Sequence, residues 1–452
     1  MAAIKASPTD GICYNPSDPL YWEKDALEGE LERVFDICQG CRMCFNLCGS
    51  FPALFDAVDA NDGDVRKITD ADRDHVADVC FQCKLCYVKC PYTADDGHDF
   101  NLDFPRLMLR FTLQRARERG VPAREKMLGD PVTLGKRVTA TGMTARIANL
   151  ANSNKLGRRV LERATGIHRD KKLPSFATRT FESWVDARAR PDVATDEQVV
   201  LFHTCFVNYN APQIGMDAVE VLERNGIEVL SPAQTCCGMP ALDGGDFEFA
   251  REQARRNVMA LWPYVERGYK VLVINPTCSY MMRKEYAEIV GPSMEEEARR
   301  LSESVRDVCE FLFELKKAGR LDRDFKTTPG EIAYHIPCHL RAQGIGYRSR
   351  DVMKTIPGAK VKLVDRCCGH DGTWAMKKEN FEASMKIGRP AFDAMQGGGL
   401  MTTDCPLAAV QFEQATGTKP LHPVQVLARA YRSDGFDPIP AEPADPAEAA
   451  KP

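Results

Sequence analysis

The residues of this 452-residue chain most able to do chemistry are its 18 cysteines, because sixteen of them fall into four ordered sets. Cys38, Cys41, Cys44 and Cys48 form a C-x2-C-x2-C-x3-C motif, and Cys80, Cys83, Cys86 and Cys90, followed by Pro91, repeat it with identical spacing. Three thiolates spaced this closely wrap one face of a cubane [4Fe–4S] cluster. Zinc ribbons instead pair their cysteines across a longer gap. The other eight are Cys205, Cys236, Cys237 and Cys278, then Cys338, Cys367, Cys368 and Cys405. Each of these sets reads as a single cysteine, an adjacent pair followed by glycine, and a further single cysteine. Adjacent thiols on such a turn suit a metal site, since Gly238 and Gly369 let the backbone bend tightly. Cys13 and Cys309 stand outside every motif and are read as bystanders.

The elements that must position these thiols follow from the pattern around them. The paired N-terminal motifs are the two-cluster ferredoxin arrangement, in which the fourth cysteine of each motif reaches the other cluster. The expected sets are Cys38/Cys41/Cys44/Cys90 and Cys80/Cys83/Cys86/Cys48. About 30 residues of helix-like content separate the motifs, which argues for an all-helical module over a smaller β-rich one. Phe45, Leu47, Phe81 and Tyr87 are expected to shield the clusters from water. Further along, strand, cysteine, helix, strand, Cys-Cys-Gly, helix, strand and cysteine occur twice in the same order, over about 197–290 and 331–432. Alternation of this kind predicts parallel sheets with crossover helices and cysteines on the loops leaving the strand ends. The two copies should face each other about a pseudo-two-fold axis.

The expected organisation is α+β and multidomain. A lead-in spans 1–35, an all-helical two-cluster ferredoxin domain 36–105 and a basic helical linker 106–196. The first repeat spans 197–290, a helical connector 291–330, the second repeat 331–432 and a disordered tail 433–452. The stretch 106–190 holds roughly 20 basic against 7 acidic residues, while the whole chain carries a formal charge of −4. That asymmetry predicts a surface with a partner. No apolar run approaches the roughly 18 residues needed to span a bilayer, and the N-terminus has no apolar signal region. The expected location is therefore cytoplasmic, where thiol pools disfavour disulfides and the cysteines are better read as metal ligands.

The segments HTCFVNYN (203–210), TCCGMP (235–240), NPTCSYM (275–281), HIPCHLRAQGIG (335–346), RCCGHDGTW (366–374) and TTDCPLA (402–408) resemble the cysteine-rich CCG domains of heterodisulfide reductase-related iron–sulfur oxidoreductases. The likeness extends over about residues 30–432 and includes the iron–sulfur subunits of anaerobic glycerol-3-phosphate dehydrogenases. In heterodisulfide reductases the motif ends in C-x-x-C and binds a noncubane cluster that cleaves a disulfide. Here Met281 and Ala408 stand at the last position, so each repeat keeps four thiols and disulfide reduction is put in doubt.

The resemblance implies an electron-transfer subunit in a hetero-oligomeric oxidoreductase. Its donor would be a flavin-dependent dehydrogenase of glycerol-3-phosphate or 2-hydroxy acid type, or a rubrerythrin-type partner, and its acceptor a membrane quinone or another carrier. A thiol–disulfide reductase with its active cluster in a CCG domain is the second reading. Two [4Fe–4S] clusters are expected in the helical module. One or two further iron–sulfur clusters, or zinc, are expected at Cys205, Cys236, Cys237, Cys278 and at Cys338, Cys367, Cys368, Cys405. No glycine-rich dinucleotide loop or P-loop occurs, so no flavin or nucleotide site is expected, and nothing points to nucleic acid. The basic linker is expected to dock peripherally on the cytoplasmic membrane. His203, His335, His339 and His370 flank the second group of cysteines as candidates for tuning a cluster or coupling a proton.

Overall fold

The computed structural model describes residues 12–189 and 197–439. The start of the lead-in, the last residues of the linker and most of the expected disordered tail lie outside the described residues.

Five helices build the first unit: α1 (Lys24–Cys41), α2 (Ser50–Asp59), α3 (Asp70–Asp78), α4 (Leu85–Lys89) and α5 (Phe104–Arg119). Leu27, Leu31, Val34 and Phe35 recur at helical spacing along α1 and bury one face against Phe51, Leu54 and Phe55 of α2. A capping box between Thr69 and Asp72 starts α3, and Asp103 accepts from the Arg106 N–H to start α5. Arg42, in the left-handed region at φ 52°, ends α1 by donating its N–H to the Cys38 carbonyl. The last turn of α1 therefore carries both Cys38 and Cys41. Leu107 and Met108 of α5 lie in this same core, so the helical unit runs past the expected boundary at residue 105.

The expected helical linker is present as α6 (Ala123–Gly129), α7 (Pro131–Val138), α8 (Gly142–Ser153), α9 (Lys155–Thr165) and α10 (Phe181–Ala187). It packs on the repeats. Phe181 is buried in the core of the first repeat, and the Arg158 guanidinium donates to the carbonyls of His168, Arg169 and Lys171 to fix the turn after α9.

The first repeat is a parallel sheet in the order β2-β1-β3-β4, from β1 (Gln198–Phe202), β2 (Glu228–Leu230), β3 (Lys270–Val273) and β4 (Val305–Asp307). Its strands bury Val and Leu on both faces, as parallel strands covered by helices require. The second begins after β5 (Thr327–Thr328), which pairs with the final β9 (Asp437–Pro438). It has the order β7-β6-β8, from β6 (Glu331–His335), β7 (Lys360–Val364) and β8 (Leu400–Thr403). A parallel bridge from Thr402 to Leu421 stands where the first sheet has β4. The stretch expected to be a purely helical connector contains β4 between the helices Glu295–Ser304 and Val308–Lys317.

The two repeats interlock by exchange. Helix Pro212–Arg224 of the first packs on Pro423–Tyr431 of the second, and Val308–Lys317 of the first packs on Arg348–Met353 of the second. These reciprocal contacts share one hydrophobic core, in which Leu222, Phe311, Val352 and Leu427 are all fully buried. The arrangement is the expected pseudo-two-fold.

Gly369 has φ +69°, and a Cβ there would lie 2.0 Å from the Ser384 carbonyl oxygen. Gly397 has open space and φ −89°. Gly369→Ala should therefore lose more than about 2 kcal/mol of stability. Gly397→Ala should be neutral or gain up to about 1 kcal/mol, both read as apparent melting temperatures of the anaerobic protein.

Candidate iron–sulfur centres

Two cavities lie in the helical unit, and thiols line both. One is bounded by Cys38, Cys41, Cys44 and Cys90 with Phe55 and Leu102. The other is bounded by Cys48, Cys80, Cys83 and Cys86 with Phe51 and Phe104. The last cysteine of each motif lies with the first three of the other. Phe81 is buried and Leu47 lines the second cavity, whereas Phe45 is exposed and stacks on Phe55 at 6.2 Å.

Burial first, and then neighbouring thiols, push up Cys38, Cys44, Cys48 and Cys86. Desolvation pushes Cys80 up to about 12, with Cys83 adding to it. Desolvation likewise pushes Cys44 up to about 11, with Cys90 and Cys41 adding to it. Four thiolates gathered in apolar surroundings repel one another, and a multiply charged iron centre is what makes them thermodynamically acceptable. The donor set fits iron–sulfur clusters held by four cysteines each. Gln82 (φ 52°) and Lys84 (φ 64°) take left-handed backbone between Cys80 and Cys86, which turns this loop around the second cavity.

In both repeats the cysteines sit at the carboxyl ends of the parallel strands, at the crevice where such sheets bind ligands. Cys205 and Cys338 open short helices after β1 and β6, and Cys405 caps helix Pro406–Thr416, its Sγ accepting from the Ala408 N–H at 3.4 Å. The Gly369 N–H donates to Cys367 Sγ at 3.3 Å. Such backbone donors favour thiolate. The adjacent pairs are held from behind. Asn257 Nδ2 donates to the Cys236 carbonyl at 2.9 Å and Tyr286 to the Cys237 carbonyl at 3.0 Å, and in the second repeat Gln411 donates to the Cys368 carbonyl at 3.3 Å. In the first repeat Cys236 is in hydrogen-bond reach of both Cys205 and Cys237, and Cys237 of Cys278. In the second, Cys367 meets Cys338, and Cys368 has Cys367 and Cys405 as charged neighbours.

The sites adjoin one another. The Cys338 sulfur is in hydrogen-bond reach of Cys83 in the helical unit as well as of Cys367. Around this junction the rings of Phe81 and Trp374 lie 4.8 Å apart, and Trp374 Nε1 donates to the Asp78 carbonyl at 3.0 Å. Cys405 of the second repeat in turn senses the charge of Cys278 in the first.

His339 joins all three parts. Its Nε2 lies 3.0 Å from the Gln82 carbonyl, which only accepts, so Nε2 carries the proton and Nδ1 accepts from the Thr277 hydroxyl at 3.0 Å. Burial pushes this imidazole down to about 4, so it is neutral at physiological pH. The other flanking histidines play separate parts. His335 bonds Thr403 through Nδ1, His203 bonds Ser231 and faces Glu182, and His370 is buried with neither ring nitrogen bonded among the described residues. Lys84, buried among the cysteines and donating to Gln82 Oε1 at 2.6 Å, is a residue that sequence reasoning passed over. Its position between Cys83 and Cys86 was the available signal.

A helical iron–sulfur module joined to two parallel-sheet units with cysteines at the strand ends defines a CCG-type iron–sulfur electron-transfer chain. Residues 31–121 match the Citrate utilization protein B Fer4-like domain, and residues 199–283 and 332–412 each match the Cysteine-rich CCG domain. An anaerobic glycerol-3-phosphate dehydrogenase subunit from Escherichia coli (strain K12) is 33% identical over 292 residues, covering 63% of this chain and 72% of that protein. Lactate utilization protein A of Geobacillus thermodenitrificans (strain NG80-2) is 32% identical over 187 residues, 40% of this chain and 75% of that protein. A fumarate reductase (CoM/CoB) subunit from Methanothermobacter marburgensis is 28% identical over 240 residues, 51% of this chain and 44% of that protein. The chain belongs to the family of CCG-domain iron–sulfur proteins that includes this glycerol-3-phosphate dehydrogenase component.

Trp374 closes the junction between the helical unit and the second repeat, and replacing a buried Trp by Ala costs about 3–5 kcal/mol. Trp374→Ala should bleach several-fold faster in air than wild type, followed by visible absorbance. Trp374→Phe, which keeps the ring contact with Phe81, should bleach at close to the wild-type rate. Equal rates for Ala and wild type would remove the shielding role.

Proposed function

We propose that this chain is a relay subunit that passes electrons between a flavin-dependent dehydrogenase and a quinone at the membrane. The observation that carries the reading is that Cys338 of the second repeat has Cys83 of the helical unit as a neighbour, at a junction that His339 closes on the Gln82 carbonyl. The ligand sets that support it are Cys38/Cys41/Cys44/Cys90, Cys48/Cys80/Cys83/Cys86, Cys338/Cys367/Cys368/Cys405 and Cys205/Cys236/Cys237/Cys278, in that spatial order. An iron–sulfur cluster supplies reversible one-electron redox capacity when bound. The protein's part is to hold each set rigid, exclude water and bring neighbouring sets into contact.

The outer end of this line is the Cys38 set, where Met43, Phe45 and Val88 are exposed. Apolar side chains left in water around a redox site favour docking of the flavoprotein there. The relatives named for glycerol-3-phosphate dehydrogenase and for lactate utilization support a glycerol-3-phosphate or 2-hydroxy acid dehydrogenase as that partner. A site with a fifth thiol, as disulfide cleavage by this family requires, is absent from the motif in both repeats, because Met281 and Ala408 replace the last cysteine.

The reading also takes in the linker. Met143, Ile147 and Leu150 of α8 and Leu156 and Val160 of α9 are each more than 60% exposed, and Lys136, Arg137, Arg146, Lys155, Arg159 and Arg163 are exposed around them. No helix among the described residues is long and apolar enough to cross a membrane. An apolar ridge set in basic side chains suits the surface of an anionic bilayer, each cation adding about 1 kcal/mol of attraction.

Three measurements test the proposal. In EPR of the reduced protein, Cys48→Ser should disturb the same signal as Cys80→Ser, and Cys90→Ser the same signal as Cys38→Ser. Cys338→Ser should leave both signals reducible by the dehydrogenase while quinone reduction falls at least tenfold; turnover at the wild-type rate would refute the order. For the membrane surface, the purified chain should co-sediment with vesicles containing anionic lipid at low salt and release at high salt. The double variant Ile147→Glu/Leu150→Glu should stay in the supernatant.

A further inference from the structure

Away from the sixteen clustered cysteines, two buried carboxylates and a thiol meet at the seam of the two repeats. Asp307 ends β4 in the first repeat, Cys309 follows it in helix Val308–Lys317, and Asp404 follows β8 in the second repeat. One donor atom from each lies within 4.8 Å of the other two, and the three residues are 0–1% exposed.

The polar bonding around them is complete except at one atom. Tyr334 donates to Asp404 Oδ2 at 2.6 Å and Ser349 donates to Asp404 Oδ1. The Cys309 N–H donates to Asp307 Oδ1 at 2.8 Å, while Asp307 Oδ2 is buried with no partner among the described residues. Neither carboxylate has an ion pair with Lys or Arg among the described residues, and Asp307 faces the charges of Asp404 and Glu310. The nearest imidazole, His422, is neutral and spoken for, with Nε2–H donating to the Ile274 carbonyl and Nδ1 accepting from the Val424 N–H.

The pseudo-two-fold sharpens the point. His422 caps helix Pro423–Tyr431 as Asp307 caps Val308–Lys317, each with a capping box. On the His422 side, protein groups alone satisfy the contact. On the Asp307 side, a carboxylate with one unpartnered oxygen lies beside a second carboxylate and a sulfur, and a buried acidic cluster of this kind needs a cation or protons.

We propose that Asp307, Asp404 and Cys309 bind a structural divalent metal ion, zinc by the chemistry of the donors, that staples the two repeats across their seam. A thiolate beside two carboxylates selects a borderline metal such as zinc over magnesium or calcium. Donor atoms on tetrahedral zinc lie roughly 3.5 Å apart, so binding asks only a small inward movement of side chains. Tyr334, Ser349 and the Cys309 N–H are the outer hydrogen bonds that orient ligand carboxylates at such centres. The site is distinct from the cluster sites, because it needs no inorganic sulfide.

That difference supplies the test. In the full chain purified anaerobically, iron plus zinc is measured by mass spectrometry against acid-labile sulfide. Wild type should contain metal in excess of sulfide, and Asp307→Asn and Asp404→Asn should each lose one metal equivalent at unchanged sulfide. Wild-type metal equal to sulfide, or an excess that survives both variants, would overturn the proposal in favour of a protonated carboxyl pair. Anomalous difference maps of wild-type crystals on either side of the zinc edge decide the matter even if the variants fold poorly. A zinc peak between the three side chains supports the site, and its absence refutes it.

Discussion

Everything in this architecture depends on making buried thiolates tolerable. A thiolate gathered with three others in apolar surroundings is strongly disfavoured, as the upward displacement of Cys44, Cys80 and Cys405 records, unless it faces a multiply charged metal centre. The chain therefore delivers cysteines from different elements to common points and binds the group that compensates them. Cys48 and Cys90 are the clearest case, since each leaves its own motif to complete the other's cavity. Metal and fold are then coupled, because neither cavity has a reason to remain closed around four repelling sulfurs.

The same constraint explains the density of polar groups at the centre. Lys84, Asp243, Asp371 and Glu285 are drawn there from the helical unit and both repeats. Asp243 is pushed up to about 7 by desolvation, opposed by Lys84. Glu285 is held down, the cost of its burial being outweighed by Arg106 and then Lys84. His339 avoids the problem by being neutral and doubly bonded, which lets it fasten the Gln82 loop to the first repeat without adding charge beside the sulfurs. A salt bridge in its place would cost desolvation and shift the electrostatics of every neighbouring thiol.

Much of this was legible in the sequence because the relevant signals are local. The expected order of strand, cysteine, helix, strand and Cys-Cys-Gly holds in both repeats, since periodicity and turn residues fix it. The sequence also carried the four cysteine sets. It did not reveal that Cys338 would meet Cys83, because that contact is made by residues 255 positions apart through a docking geometry that no local pattern encodes. Strand β4 was missed for a related reason: three residues, Val305–Asp307, between two helices have too little alternation to stand out, and their state is set by pairing with β3. Cys309, read as a bystander for want of a motif, is placed beside Asp404 only by the packing of one repeat on the other.

The two repeats share a common form, yet their sequence differences fall where the partners differ. At corresponding sheet ends the first repeat has Ile274, whose carbonyl accepts from His422, and the second has Asp404, which is bonded by Tyr334 and Ser349. Opposite them stand His422 and Asp307. One side of the seam is thus closed by a neutral imidazole and a carbonyl, the other by groups that need a cation. The helical unit breaks the symmetry in the same sense. It docks on the second repeat through Phe81, Gln82 and Cys83, where Trp374 receives it, and on the first through Arg106, which pairs with Glu288. A symmetric pair of sites would stand alike toward the helical unit, whereas in this docking Cys338 of the second repeat has Cys83 of the helical unit as its neighbour.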